Sequence, residues 1–98
     1  MNKQNNLIMA RKKVYIVESG CLNKTTNSFW LTPIYFSSKK VAMAEAEQIL
    51  KINQAEDVVE HENWIRVDPN ILRMTDYIGE KGKYKARVQV KWAWLNSY

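Results

Sequence analysis

One cysteine, one histidine, two prolines and three glycines in 98 residues set the first limits. A lone Cys21 excludes an intramolecular disulfide. A single histidine, His61, leaves little scope for paired-histidine metal motifs, and it stands forty residues from Cys21. Gly20, Gly79 and Gly82 are explained by turns, so no Gly-rich phosphate loop is present. No segment approaches the roughly 20 apolar residues that a membrane span needs. The four-residue apolar run Leu7 to Ala10 after Lys3 is shorter than the h-region of a secretory signal. The expected location is therefore the cytoplasm, with no membrane partner. Acid is missing from one long stretch: no Asp or Glu occurs between Lys81 and Tyr98.

What is present points to a small folded domain. Hydrophobic residues make up 46% of the chain, ordinary for a globular protein and too high for a disordered one. Four Trp, five Tyr and two Phe supply anchors for a modest core. The length suits one domain. Residues 1–10 are polar and read as a mobile N-terminal tail, and 11–98 as a single domain. The formal net charge is +5, which favours acidic partners through long-range attraction.

The acid-free stretch carries the clearest pattern. Tyr84, Ala86, Val88, Val90, Trp92 and Trp94 alternate with Lys85, Arg87, Gln89 and Lys91. Period-2 alternation predicts a strand with one buried face. The even-numbered residues are expected in the core. Lys83, Lys85, Arg87 and Lys91 then form a positive stripe on the other face, extended by Lys81. These five are the candidate partner-binding residues. Phosphates or carboxylates are the groups such a stripe suits. Equally, lysines are an ordinary filling for the solvated face of an antiparallel sheet, and on an edge they block unwanted pairing. Tyr84, Trp92 and Trp94 fall on the face opposite the stripe, so base stacking beside those cations is not expected, and the RNP signature is absent.

Elsewhere, Val14 to Val17 predicts a first strand over 13–19, followed by a polar loop over 20–28. A second strand is predicted over 29–36, with Pro33 requiring an edge or a bulge. Ser37 or Ser38 caps a helix to about Asn53, with Ala42, Ala46, Ile49 and Leu50 on one side. Lys39 and Lys40 oppose its dipole. Residues 55–63 hold Glu56, Asp57, Glu60 and Glu62 and read as a solvated loop. Asp57, Glu60, His61 and Glu62 are metal-ligand types, but their spacing matches neither the paired-His helix nor the EF-hand loop. A short strand is predicted over 64–68, ended by Pro69-Asn70. Residues 71–78 are strand-like but ambiguous, and Gly79 to Gly82 make a hairpin turn. The fold expected is α+β: an antiparallel sheet of about five strands, in sequence order β-β-α-β-β-β, with one helix on one face.

The run Val14-Tyr15-Ile16-Val17, a polar loop, then Ile34-Tyr35-Phe36-Ser37-Ser38-Lys39-Lys40-Val41-Ala42 resembles small ββα domains of phages and bacterial mobile elements. It covers roughly residues 13–52. The resemblance implies no catalytic residues and no cofactor. It implies a stoichiometric inhibitor of host machinery, of the anti-CRISPR or anti-defence kind, and the basic charge argues against DNA mimicry. The function expected from the sequence is a non-enzymatic binding protein that engages an acidic protein surface or a nucleoprotein, the alternative being a sequence-nonspecific nucleic-acid-binding protein.

Overall fold

The computed structural model describes residues 12–62 and 68–95. The predicted tail over 1–10 and residues 64–67 of the predicted strand lie outside them. Asp68, the last residue of that predicted strand, belongs to no strand. The chain runs β1 (Lys12–Asn23), β2 (Ser28–Phe29), β3 (Thr32–Phe36), α1 (Lys39–Ile52), β4 (Glu56–Glu60), β5 (Ile71–Gly79) and β6 (Tyr84–Leu95). The sheet is antiparallel throughout, in the order β2-β1-β6-β5-β4, with β3 pairing β1 on the side that β2 occupies. Among the described residues one helix lies across it, so the fold is the expected α+β class.

The helix forms where its cap and its apolar spacing say it should. Ser38 sits in extended conformation, and its Oγ accepts a hydrogen bond from the Val41 N–H at 3.3 Å. Ala42, Ala46 and Leu50, four residues apart, are buried against the sheet. Two of these three are alanine, which lets the helix axis approach the strands closely. They meet Val17, Tyr77, Ala86, Val88 and Val90, and Val17, Val88 and Val90 are fully enclosed. Burying each such valine stabilises the fold by about 1.5–3 kcal/mol. The even-numbered residues of β6 thus face the core, as their alternation requires.

The C-terminal end of the helix is stitched to the sheet by one residue. Asn53 donates from Nδ2 to the Ile49 carbonyl at 2.9 Å and to the Tyr77 hydroxyl at 3.2 Å, and its Oδ1 accepts from the Tyr84 hydroxyl at 2.9 Å. The Glu80 N–H donates to the Asn53 carbonyl at 2.8 Å, which fixes the β5–β6 turn beside the helix end.

Three expectations change. The first strand runs on to Asn23, so the loop shrinks to residues 24–27. The second strand is split into β2 and β3 by a break at Trp30 and Leu31. The break lies beside Gly20: a Cβ there would stand 1.7 Å from the Trp30 carbonyl oxygen, so the chain passes β1 closer at this point than any side chain allows. Third, residues 56–60, read as solvated loop, form strand β4. Among the described residues it pairs only β5, with a register shift between Glu56 and Val59 and a positive φ at Asp57. Every residue of β4 is exposed, so no alternation of burial existed to reveal it. Residues 71–78 resolve as strand. Pro33 lies on β3, which among the described residues pairs β1 alone, where its missing N–H is tolerated.

Candidate interaction surface

The odd-numbered residues of β6 stand on the face of the sheet away from α1, as predicted. They do not stand there as a free stripe. Strand pairing sets Asp76 of β5 opposite Arg87 and Glu18 of β1 opposite Gln89. Arg87 donates to both carboxylate oxygens of Asp76, from Nε at 2.7 Å and from a terminal nitrogen at 3.1 Å. Its guanidinium also lies 4.3 Å from the ring centroid of Phe29. Lys91 Nζ is 3.0 Å from Glu18 Oε1, and the same oxygen accepts from the Gln89 side-chain amide at 2.8 Å. The stretch from Lys81 onward is acid-free along the chain but not across the sheet.

Asp76 is the centre of this face. It is buried, and His61 Nε2 approaches its Oδ2 at 2.8 Å from the end of β4. Burial pushes the Asp76 carboxyl up, but the hydrogen bonds and charges of Arg87 and His61 outweigh that and hold it below its ordinary value.

Lys81, Lys83 and Lys85 differ from Arg87 and Lys91. All three are exposed, and none has an ion pair with any other described residue. Lys81 occupies the β5–β6 turn with φ 59°, beside Glu80 at φ 48°. The Lys83 N–H closes the turn on the Gly79 carbonyl at 3.0 Å. Lys81 and Lys83 edge a hollow of about 380 Å³ shared with Ile52, Gln54 and Glu80. Lys85 opens onto a shallow cleft of about 350 Å³ whose other walls include Asp57, Val59, His61 and Asp76.

The catalytic and metal candidates come apart. Cys21 pairs with Ala86 and shares the helix side of β1 with Val17, whereas His61 binds Asp76 on the opposite face. Glu60 precedes His61 but points to the helix side, where Arg73 and Thr75 hold it. Arg73 also binds Glu47 and so clamps α1 to β4. Burial raises the Glu60 carboxyl, and its Arg73 and Thr75 hydrogen bonds bring it below its ordinary value. Among the described residues no group of three or more metal-ligand types converges. No helix among them is long and apolar enough to cross a membrane.

One cluster was missed. Lys13 of β1 pairs opposite Trp94 of β6, and its Nζ lies 4.5 Å from the Trp92 ring centroid and 5.7 Å from that of Trp94. The two indoles meet edge to face, with centroids 5.3 Å apart at 82°. Cations and aromatics therefore do share a surface, but the cation comes from the neighbouring strand. The Lys12-Lys13 pair immediately before Val14 was the signal available in the sequence.

No family model matches the chain, and neither a curated protein nor a solved structure matches it.

Proposed function

We propose that this chain is a non-enzymatic binding protein that engages an acidic macromolecular surface, on a protein or a nucleoprotein, through Lys81, Lys83 and Lys85. One observation carries this reading. Of the five cations that the alternation singled out, those three lack a counter-ion among the described residues, and they are contiguous at one end of the sheet. Arg87 and Lys91 are neutralised internally and act as sheet fasteners. Exposed lysines at a turn steer an anionic partner and set its on-rate, and they lose strength as salt rises. Stoichiometric inhibition of a host complex is one form such binding takes. Catalysis has less support, because Cys21 and His61 lie on opposite faces of the sheet.

The test is affinity capture from a lysate of the cell that makes the protein, with and without nuclease. Wild type is compared with the triple variant Lys81→Glu/Lys83→Glu/Lys85→Glu. A partner that survives nuclease and is bound about threefold or more weakly by the variant supports the reading, on roughly 0.2–1 kcal/mol for each of the exposed charge pairs lost. Equal capture by both proteins would refute it. Recovery that vanishes with nuclease would replace it with direct nucleic-acid binding, the reading favoured by the Lys13–Trp92–Trp94 contact.

A further inference from the structure

The shallow cleft on the sheet face away from α1 combines an open cation, open acceptors and apolar walls. Strand pairing builds it. Ile78 stands opposite Lys85, and Asp76 stands opposite both Arg87 and Val59. Paired residues share a face, so Lys85, Ile78, Asp76 and Val59 lie on the side that Arg87 occupies. His61 lines the cleft from beyond the end of β4, and Asp57 from the register shift within it. The open groups differ in chemistry. Asp76 is already taken: Arg87 binds both of its oxygens and His61 Nε2 approaches Oδ2 at 2.8 Å. An ionised carboxylate only accepts, so Nε2 carries the proton of that bond. Nδ1 is then the ring nitrogen left for a ligand, and in the neutral ring it accepts. Asp57 has no ion pair with another described residue and also accepts. Lys85 donates. Val59, 53% exposed, and Ile78 supply apolar surface beside it.

We propose that this cleft seats one acidic side chain of an extended protein segment, its carboxylate on Lys85, its backbone N–H groups on His61 Nδ1 and Asp57, and an apolar neighbour on Val59 and Ile78. Such a seat rests on the reading that Lys85 is open to a partner, and it makes that partner a protein. A peptide supplies every component. Each of its residues carries a backbone N–H donor. In an extended chain, side chains two apart share a face at a spacing of roughly 6.5–7 Å, so an acid and an apolar residue reach Lys85 and Val59 together. A nucleic-acid backbone matches the cleft less well. Its phosphate oxygens accept and cannot donate, so they leave His61 Nδ1 and Asp57 without partners. It also repeats its charge at every nucleotide, so a phosphate on Lys85 brings its neighbour towards the Asp57 carboxylate. A bare polyanion shares both defects and offers nothing to Val59.

The test uses the full ¹⁵N-labelled chain at 50 mM NaCl. His61 is the single histidine, so its ring-nitrogen signals are read without overlap. The probe is a blocked seven-residue serine peptide carrying one glutamate and, two positions on, one valine, titrated to about millimolar concentration. The expected result is saturable binding that moves the Nδ1 signal and the Lys85 and Val59 amides. Replacing the peptide's glutamate by glutamine, or Lys85→Gln in the protein, should weaken binding about two- to fivefold, and Val59→Ser should weaken it as well. Lys85 and Val59 are exposed, so both variants should keep the wild-type melting curve. An unmoved Nδ1 signal would overturn the proposal. So would wild-type affinity in either variant, or tighter binding of a 15-nucleotide oligothymidylate to the same cleft. Heparin separates this failure from that of the wider reading. If heparin moves the Lys81, Lys83 and Lys85 amides and the peptide moves none, the lysines meet anions but this seat is absent; if neither ligand moves them, both readings fall.

Discussion

Arg87→Ala should destabilise this protein far more than Lys85→Ala, although the two residues are neighbours on one face of one strand. Arg87 makes a two-pronged bond to Asp76, and the side chains are 24% and 12% exposed. Hydrogen bonds to a charged group contribute about 1.5–3 kcal/mol, and the contact with Phe29 adds about 0.5–1 kcal/mol. His61 remains beside Asp76 and limits the loss, so the expected cost is about 2–4 kcal/mol. For a domain of this size that lowers Tm by about 10–25 °C. Lys85 has no such partner, and its truncation should fall within about 0.5 kcal/mol. Thermal unfolding followed by circular dichroism at pH 7 measures both. The same pair of melts at low pH supplies an internal check. The Asp76 carboxyl is held below its ordinary value, so its contribution is complete above the unfolded pKa near 4 and is lost as pH falls through the folded one. The gap between wild type and Arg87→Ala should therefore narrow below about pH 4. Equal melting temperatures for Arg87→Ala and Lys85→Ala at pH 7 would refute the division of the stripe into fastened and free cations.

Other outcomes follow from the same structure. Gly20→Ala drives a Cβ to within 1.7 Å of the Trp30 carbonyl oxygen and should cost about 3 kcal/mol, read as a shift in the urea midpoint. Ala46→Leu adds bulk where α1 is buried against the sheet and should cost about 1–3 kcal/mol in the same assay. Burial, with nearby Tyr84 and Cys21, pushes the Tyr77 hydroxyl up to about 12. Tyr77 then stays neutral in the fold, and its contribution is full below about pH 10 and is lost as pH rises towards 12. An absorbance titration should show its ionisation as the late step, missing from Tyr77→Phe.

The sequence disclosed what one-sided burial writes into it. Ala86, Val88 and Val90 alternate with polar residues because one face of β6 meets a helix, and Ala42, Ala46 and Leu50 recur at helical spacing for the complementary reason. Strand β4 left no such trace, because an edge strand exposed along its whole length needs no alternation, and only Val58-Val59 hinted at extended chain. The site was harder still. That Arg87 and Lys91 are cationic is visible at once, but Glu18 is more than seventy residues from Lys91 in the chain. Asp76 lies within reach of hairpin arithmetic, yet that arithmetic is unforgiving. A turn over residues 79–82 would pair Asp76 with Lys85, whereas the turn over 80–83 pairs Gly79 with Tyr84 and hence Asp76 with Arg87. A slip of one residue in the turn moves the counter-ion by two positions on the partner strand.

The central claim is that only cations without an internal counter-ion are available to a partner. Amide chemical shifts of ¹⁵N-labelled protein, titrated with heparin as a generic polyanion at 50 mM NaCl, test it residue by residue. The account predicts perturbations at Lys81, Lys83 and Lys85, with the Arg87 side-chain Nε–H unmoved in its bond to Asp76. Perturbations centred on Arg87, Gln89 and Lys91, with the hairpin silent, would contradict it.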